Sequence, residues 1–151
     1  MTDVIVRLPT VNHVDVDDAY TAGIVDGEGC ILITRARRNL QLRVVVSNTN
    51  LEVLERLQLN YRGSVHVRKI YEPRKQIYDW AVSGPDATEL LRQIIPYLII
   101  KEKEAKIAVQ YPHWTRKGAG ALHPGKGTSV PEDIRRRREE LAGRLLAERR
   151  R

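Results

Sequence analysis

Tyr20-Thr21-Ala22-Gly23-Ile24-Val25-Asp26-Gly27-Glu28-Gly29-Cys30-Ile31-Leu32-Ile33 is the stretch whose reading decides the fold. Small and apolar residues lead into the acidic cluster Asp26-Gly27-Glu28-Gly29, and a short apolar run with strand character follows. Ala22, Gly23 and Gly27 allow two backbones to approach closely, since glycine has no Cβ to hold them apart. Asp26 and Glu28 would present carboxylates at a helix end, where oxygen ligands suit a divalent cation. One segment thus offers a packing surface and a metal site.

Working back from this stretch, Asp15, Asp17 and Asp18 supply N-cap acceptors for a helix over roughly 17–26. Tyr20, Ile24 and Val25 are expected to face a core, with Ala22 and Gly23 toward a closely packed partner helix. Residues 1–16, interrupted by Pro9 and Asn12, read as an N-terminal arm.

Working forward, Cys30 to Ala36 and Gln41 to Asn48 read as a hairpin turned by Arg37-Arg38-Asn39. Leu42, Val44 and Val46 share one face of its second strand, and Gln41, Arg43, Val45 and Ser47 the other. A helix over 51–60 carries Leu51, Leu54 and Leu57, and Tyr61-Arg62-Gly63 ends it. Ser64 to Tyr71 and Lys75 to Ser83 form a second hairpin around Glu72-Pro73-Arg74. Helices over 86–95 and from Tyr97 to about Tyr111 follow, separated by Pro96. The order is helix–strand–strand–helix–strand–strand–helix, an α+β pattern with two hairpins in one sheet. Residues 17–111 form the core domain, 112–130 a Gly/Pro-rich basic loop, and 131–151 a final helix. Ser129 with Glu132 resembles a capping box for that helix. Its apolar stripe, Ile134, Leu141, Leu145 and Leu146, is narrow, so the helix is expected to dock without joining the core.

The chain has 151 residues, with 26 Lys+Arg against 19 Asp+Glu and a formal net charge of +7. The excess positive charge begins after Cys30, away from the acidic cluster, and points to nucleic acid as partner. Arg35, Arg37, Arg38, Gln41, Arg43, His66, Arg68, Lys69, Arg74, Lys75 and Gln76 cluster on or beside the two hairpins. A two-stranded ribbon fits the DNA major groove, and such side chains read base edges or grip phosphates. Arg116, Lys117 and Lys126 in the loop are further phosphate candidates. Cys30 is the single cysteine, which excludes an internal disulfide and a four-cysteine zinc site. His13, His66, His113 and His123 lack ligand spacing. Neither a long apolar run nor a secretory pattern is present, so an intracellular protein, in cytoplasm or organelle matrix, is expected, with no membrane partner.

Thr21-Ala22-Gly23-Ile24-Val25-Asp26-Gly27-Glu28-Gly29 resembles the nine-residue signature of the LAGLIDADG homing endonucleases. The resemblance extends over the two-hairpin organisation and the segment Tyr97-Leu98-Ile99-Ile100-Lys101, roughly residues 16–111. It implies an αββαββα domain with a curved antiparallel DNA-binding sheet. Glu28 would then be the catalytic acid and metal ligand, for Mg²⁺ with Mn²⁺ or Ca²⁺ as alternatives, and Asp26 a brace supported by Gly23, Gly27 and Gly29. Lys101 matches the family's basic residue near the active site. A third family position, often glutamine, falls at Ser47 or Asn48, a departure that leaves water positioning open. One motif implies a homodimer packed through Tyr20, Ala22, Gly23 and Gly27, cutting both strands of a long near-palindromic duplex to leave four-base 3′ overhangs.

Other readings compete with cleavage. A LAGLIDADG-like RNA maturase, acting on intron RNA, or a non-cleaving nucleic-acid-binding module would use the same fold. A small basic nucleoid-associated protein would need the carboxylates only as caps. The gene's setting, whether intron, intein remnant or free DNA, is not encoded in these residues.

Overall fold

The computed structural model describes residues 13–37, 39–69, 72–114 and 130–151. Arg38, Arg116, Lys117, Lys126 and Ser129 lie outside the described residues, as does most of the N-terminal arm.

Helix α1 (His13–Glu28) runs without a linker into strand β1 (Gly29–Ala36), which turns back into β2 (Asn39–Asn48). Helix α2 (Leu51–Tyr61), strands β3 (Ser64–Val67) and β4 (Tyr78–Ser83), and helix α3 (Gly84–Ile94) follow. A 3₁₀ turn (Ile95–Tyr97), α4 (Glu102–Ala108) and α5 (Glu132–Arg149) complete the described elements. The strands form one open, fully antiparallel sheet in the order β1-β2-β4-β3.

Alternation along the strands decides which face the helices cover. Ile31 and Ile33 of β1, Leu42, Val44 and Val46 of β2, and Trp80 and Val82 of β4 join one core. Onto them pack Ala22 and Val25 of α1, Leu54 and Leu57 of α2, and Leu90, Leu91 and Ile94 of α3. Trp80 is fully buried, and its indole N–H donates to the carbonyl of Arg62 at 2.8 Å. The opposite face carries Gln41, Arg43, Val45 and Ser47, as the alternation of β2 requires.

Several sequence expectations need correction. Helix α1 starts four residues before the expected position 17, so Asp15 falls within its span, and Asp17 and Asp18 sit inside it and do not cap it. Asp17 and Asp18 instead tie α1 to α2: Arg56 donates to Asp17 at 2.6 Å, and the Tyr61 hydroxyl donates to buried Asp18 at 2.6 Å. Ala22 is fully buried in the chain's own core, whereas Tyr20 is 48% exposed, which reverses their expected directions.

The second hairpin is shorter than its sequence suggests. After the bond from Arg68 N–H to the Ile77 carbonyl, the Gln76 side-chain amide donates to the carbonyls of Arg68 and Ile77. A side chain thus takes over acceptors near the turn, where Pro73 has no N–H to give.

The helix expected from Tyr97 begins only at Glu102, because Leu98–Lys101 is held out of helical geometry, as described below. Finally, α5 is a core element after all. Leu141 and Leu145 are buried within the hydrophobic cluster, although Leu146 is exposed as a narrow stripe would leave it. Leu141→Ala should therefore cost about 2–5 kcal/mol of stability, the range for a cavity-forming truncation. Urea unfolding checks it, and a loss below about 0.5 kcal/mol, typical of a surface site, would show α5 to be peripheral.

Candidate functional site

Glu28 closes α1 and Gly29 opens β1, so the carboxylate stands where the helix meets the sheet. Gly29 is obligatory there. A Cβ on it would lie 2.7 Å from both the Cα and the carbonyl oxygen of Val25, which are backbone atoms that cannot swing aside. Glu28 is exposed. Across the sheet, Asn48 Nδ2 donates to Glu28 Oε2 at 3.1 Å, while Asn48 Oδ1 accepts from the backbone N–H of Asn50 at 2.8 Å. The second bond sets which way the Asn48 amide faces, and so presents its NH₂ to the carboxylate.

Asp26 performs a different task. Its carboxylate accepts from the backbone N–H groups of Ile99 at 2.8 Å, Ile100 at 3.2 Å and Lys101 at 2.9 Å. These bonds take the amides that a continuous helix would need and hold Leu98–Lys101 as a loop against the end of α1. Partial burial opposes ionisation of Asp26. The N–H groups of Ile99, Lys101 and Ile100, aided by the Lys101 charge, outweigh it and hold the carboxyl below its ordinary value.

The Lys101 ammonium donates to the Asp26 main-chain carbonyl at 2.5 Å. That oxygen belongs to the last turn of α1, where a cation is favoured by the helix dipole. Glu28, Asn48, Asp26 and Lys101 are therefore one assembly built from α1, β2 and the loop before α4.

A group whose folded pKa is depressed adds stability that is complete above its unfolded value, here 3.8, and fades as pH falls through the folded value. Asp26→Asn should thus lower stability by about 1–3 kcal/mol at pH 7, the scale of hydrogen bonds to a charged group. The gap between variant and parent should close below pH 3.8. Urea midpoints at pH 7 and pH 3 test this, and an equal gap at both would assign the loss to packing.

Ser47 is not part of this assembly. It lies on the opposite sheet face, where its hydroxyl donates to Asp79 Oδ1 at 2.5 Å and accepts from Arg68 Nη2 at 3.0 Å. Arg68 also grips Asp79 with two bonds, Nε to Oδ2 at 3.0 Å and Nη2 to Oδ1 at 2.6 Å. Burial again opposes ionisation, but Arg68, Ser47 and nearby His66 hold the Asp79 carboxyl below its usual range. Arg43 and Gln41 lie along the same face. Arg35 falls on the other side of its strand and pairs with Glu139 of α5 at 3.1 Å. Lys69, Arg74 and Lys75 are exposed around the second turn.

Asp79 and Arg138 were not singled out from the sequence. Asp79 meets Ser47 and His66 only through the strand register, which pairs both with it and which spacing does not reveal. Arg138 is one of four successive arginines, yet it is buried over Tyr111.

Outside the core, α1 presents Val16, Tyr20, Gly23 and Gly27, all exposed and spaced three or four residues apart along one side of the helix. Among the described residues, nothing outside the adjoining backbone of α1 itself lies within 4 Å of a Cβ built on Gly23 or Gly27. Among the described residues no group of three or more His, Cys, Asp or Glu side chains could hold a metal ion, and no helix is long and apolar enough to cross a membrane.

Comparison with known structures yields similar folds. The homing endonuclease I-CvuI, solved in complex with its target in the presence of Ca, is 24% identical. The match covers 66% of this chain and 67% of that one at a TM-score of 0.56. The same enzyme with the I-CreI target in the presence of Mg, its DNA not cleaved, matches at 25% identity, 66% and 67% coverage, and a TM-score of 0.55. The archaeal intron-encoded homing endonuclease I-Vdi141I, complexed with DNA, is 18% identical over 89% of this chain and 84% of its own, with a TM-score of 0.63. Comparison with curated proteins found no match. The family model described as LAGLIDADG endonuclease matches residues 21–116, which include Glu28, Asn48 and Lys101. The chain belongs to the LAGLIDADG endonuclease family.

Proposed function

We propose that the protein is a homing endonuclease that acts as a homodimer. It hydrolyses both strands of a long, near-palindromic double-stranded DNA target and leaves four-base 3′ overhangs. The observation that carries this reading is the position of Glu28 at the foot of a helix face that the described residues leave uncovered. Val16 and Tyr20 on that face are 50% and 48% exposed, an apolar cost that a second copy would remove. A two-fold axis along α1 would bring two Glu28 carboxylates together, one for each strand.

The donor set suits an oxygen-seeking divalent cation. Glu28 keeps Oε1 outside its bond with Asn48, whereas Asp26 is committed to three backbone amides. The described residues of one chain offer too few ligands alone, so the partner's carboxylate, phosphate oxygens and water would complete them, as Mg²⁺ accepts. When bound, the cation would polarise the phosphodiester and lower the pKa of an attacking water. The chain's own contributions are positional. Asn48 aims the Glu28 carboxylate, and Lys101 holds a fixed positive charge at the last turn of the helix that ends in Glu28, suited to a phosphate gaining negative charge. The polar sheet face, with Arg43, Gln41, His66 and Arg68, would read bases in the major groove, while Lys69, Arg74 and Lys75 grip phosphates. The structures of I-CvuI in complex with its target and of I-Vdi141I complexed with DNA support duplex DNA as the ligand.

Mg²⁺-dependent cutting of a randomised duplex library, with the oligomeric state measured by sedimentation, tests the proposal. Discrete cuts at near-palindromic sites by a dimer are expected. Duplex binding without cleavage under varied metals would favour the binding-module or RNA-maturation reading.

A further inference from the structure

The tip of the β1–β2 hairpin, the start of α3, residues 111–114 and α5 surround a cleft of about 460 Å³. None of its lining residues is acidic. Arg37 and Arg138 bring positive charge, and Asn39 and Gln41 bring side-chain amides.

Arg138 is the informative residue. It is only 8% exposed, and a buried guanidinium demands compensation. Its guanidinium carbon lies 4.8 Å from the centroid of the Tyr111 ring, and Nε donates to the Pro112 carbonyl at 3.1 Å. Tyr111 is in turn fixed by its hydroxyl, which donates to the Leu40 carbonyl at 2.6 Å. Neighbouring Arg137 pairs with Glu140, and Arg149 with Glu104, but Arg138 has no carboxylate partner among the described residues. Its two Nη groups carry four of the five N–H donors of a guanidinium. Among the described residues they have no acceptor, and Arg138 lines the cleft. Arg37 stands at the hairpin turn with a positive φ of 59°.

A planar fork of unspent donors, held by stacking and facing an acid-free cleft, has the chemistry of a phosphate receptor. The cleft also continues the polar face of β2 through Asn39 and Gln41. We propose that it takes a backbone phosphodiester of the bound duplex, beyond the bases read by the sheet, with Arg138 and Arg37 as its cations. The inference rests on duplex DNA being the ligand. It makes α5 part of the DNA interface, adding affinity and orientation and carrying no base preference of its own.

The two tryptophans allow a direct test on the full chain. Trp114 lines the cleft, and Trp80 is fully buried in the core. The ¹⁵N–¹H indole resonances are followed during titration with inorganic phosphate, with sodium chloride at matched ionic strength, and with a duplex of mixed sequence. Trp114 should shift saturably with phosphate and with duplex, but not with chloride, while Trp80 stays in place. Arg37→Gln should weaken the phosphate response several-fold and lower the salt slope of duplex binding by about 1, the effect of one lost phosphate contact. Arg138→Lys keeps the charge without the fork and should lose the same response, with the Trp80 resonance reporting that the core is intact.

An equal shift with chloride overturns the proposal, as does a Trp114 resonance that ignores a duplex shown by fluorescence anisotropy to bind. A response to free phosphate alone would make this a site for phosphate itself, and also overturns it. No duplex binding at all would defeat the endonuclease reading and this inference together.

Discussion

Glu28→Gln is expected to reduce cleavage by about 1,000-fold or more while leaving DNA binding within a few-fold of the parent. The substitution keeps size and can still accept from Asn48, so the end of α1 should hold its shape. It removes the anionic ligand from the site. A metal-supported phosphoryl transfer draws several kcal/mol from that arrangement, and about 4 kcal/mol corresponds to three orders of magnitude in rate. Binding draws instead on the sheet and its cations, and loss of a negative charge near phosphates does not oppose it. Single-turnover cleavage and anisotropy on the same duplex separate the two quantities. Cleavage within tenfold of the parent would remove Glu28 from the catalytic role.

The second large effect concerns Gly27→Leu. Among the described residues of one chain a Cβ at this position meets open space, and the substitution gains about 0.8 kcal/mol of helix propensity, so the monomer should be no less stable. Between two copies it meets its own image. Overpacking costs roughly 1–3 kcal/mol per site, and two-fold symmetry counts it twice. A penalty of about 2–6 kcal/mol weakens dimerisation by roughly 30-fold to more than 10,000-fold. Double-strand cleavage should fall with it at dilute protein and return in part at high concentration. Sedimentation, thermal unfolding and a concentration series of cleavage provide the check. An unaltered dimer would move the interface away from this face of α1.

The element order was legible because each strand and helix carries its own period. Leu42, Val44 and Val46 alternate inward as read, and Leu54 and Leu57 form the buried stripe of α2. Errors arose where a distant partner overrode a local signal. The apolar run Tyr97–Ile100 favours a helix, but Asp26, remote in sequence, takes the amides that helix would use. Asp17 and Asp18 resemble caps until Arg56 and Tyr61 are in place. α1 is apolar on two sides, so its sequence did not reveal which side the chain covers. The narrow stripe of α5 under-reported its burial because two leucines, Leu141 and Leu145, suffice when they enter an existing core. In the candidate site, Glu28 is proposed from the nine-residue signature and Lys101 from the resemblance of the segment after the second hairpin, and the structure brings their segments together through Asp26. Asn48 and Ser47 are adjacent in sequence and could not be separated by it. The pleat sends one toward Glu28 and the other to Arg68 and Asp79.

That last trio bears on how such a protein changes its preferred DNA. Arg68, Asp79 and Ser47 hold one another on the proposed reading face, so they are inherited as a phrase more than as separate letters. Replacing Arg68 alone strands a carboxylate opposite a polyanion, and replacing Asp79 alone frees an arginine to contact whichever acceptor is nearest. The first step is penalised on every sequence, and the second blurs discrimination among them. Retargeting through this part of the sheet therefore favours a route in which Asp79 changes before Arg68, passing through a tolerant ancestor on its way to a new selective one.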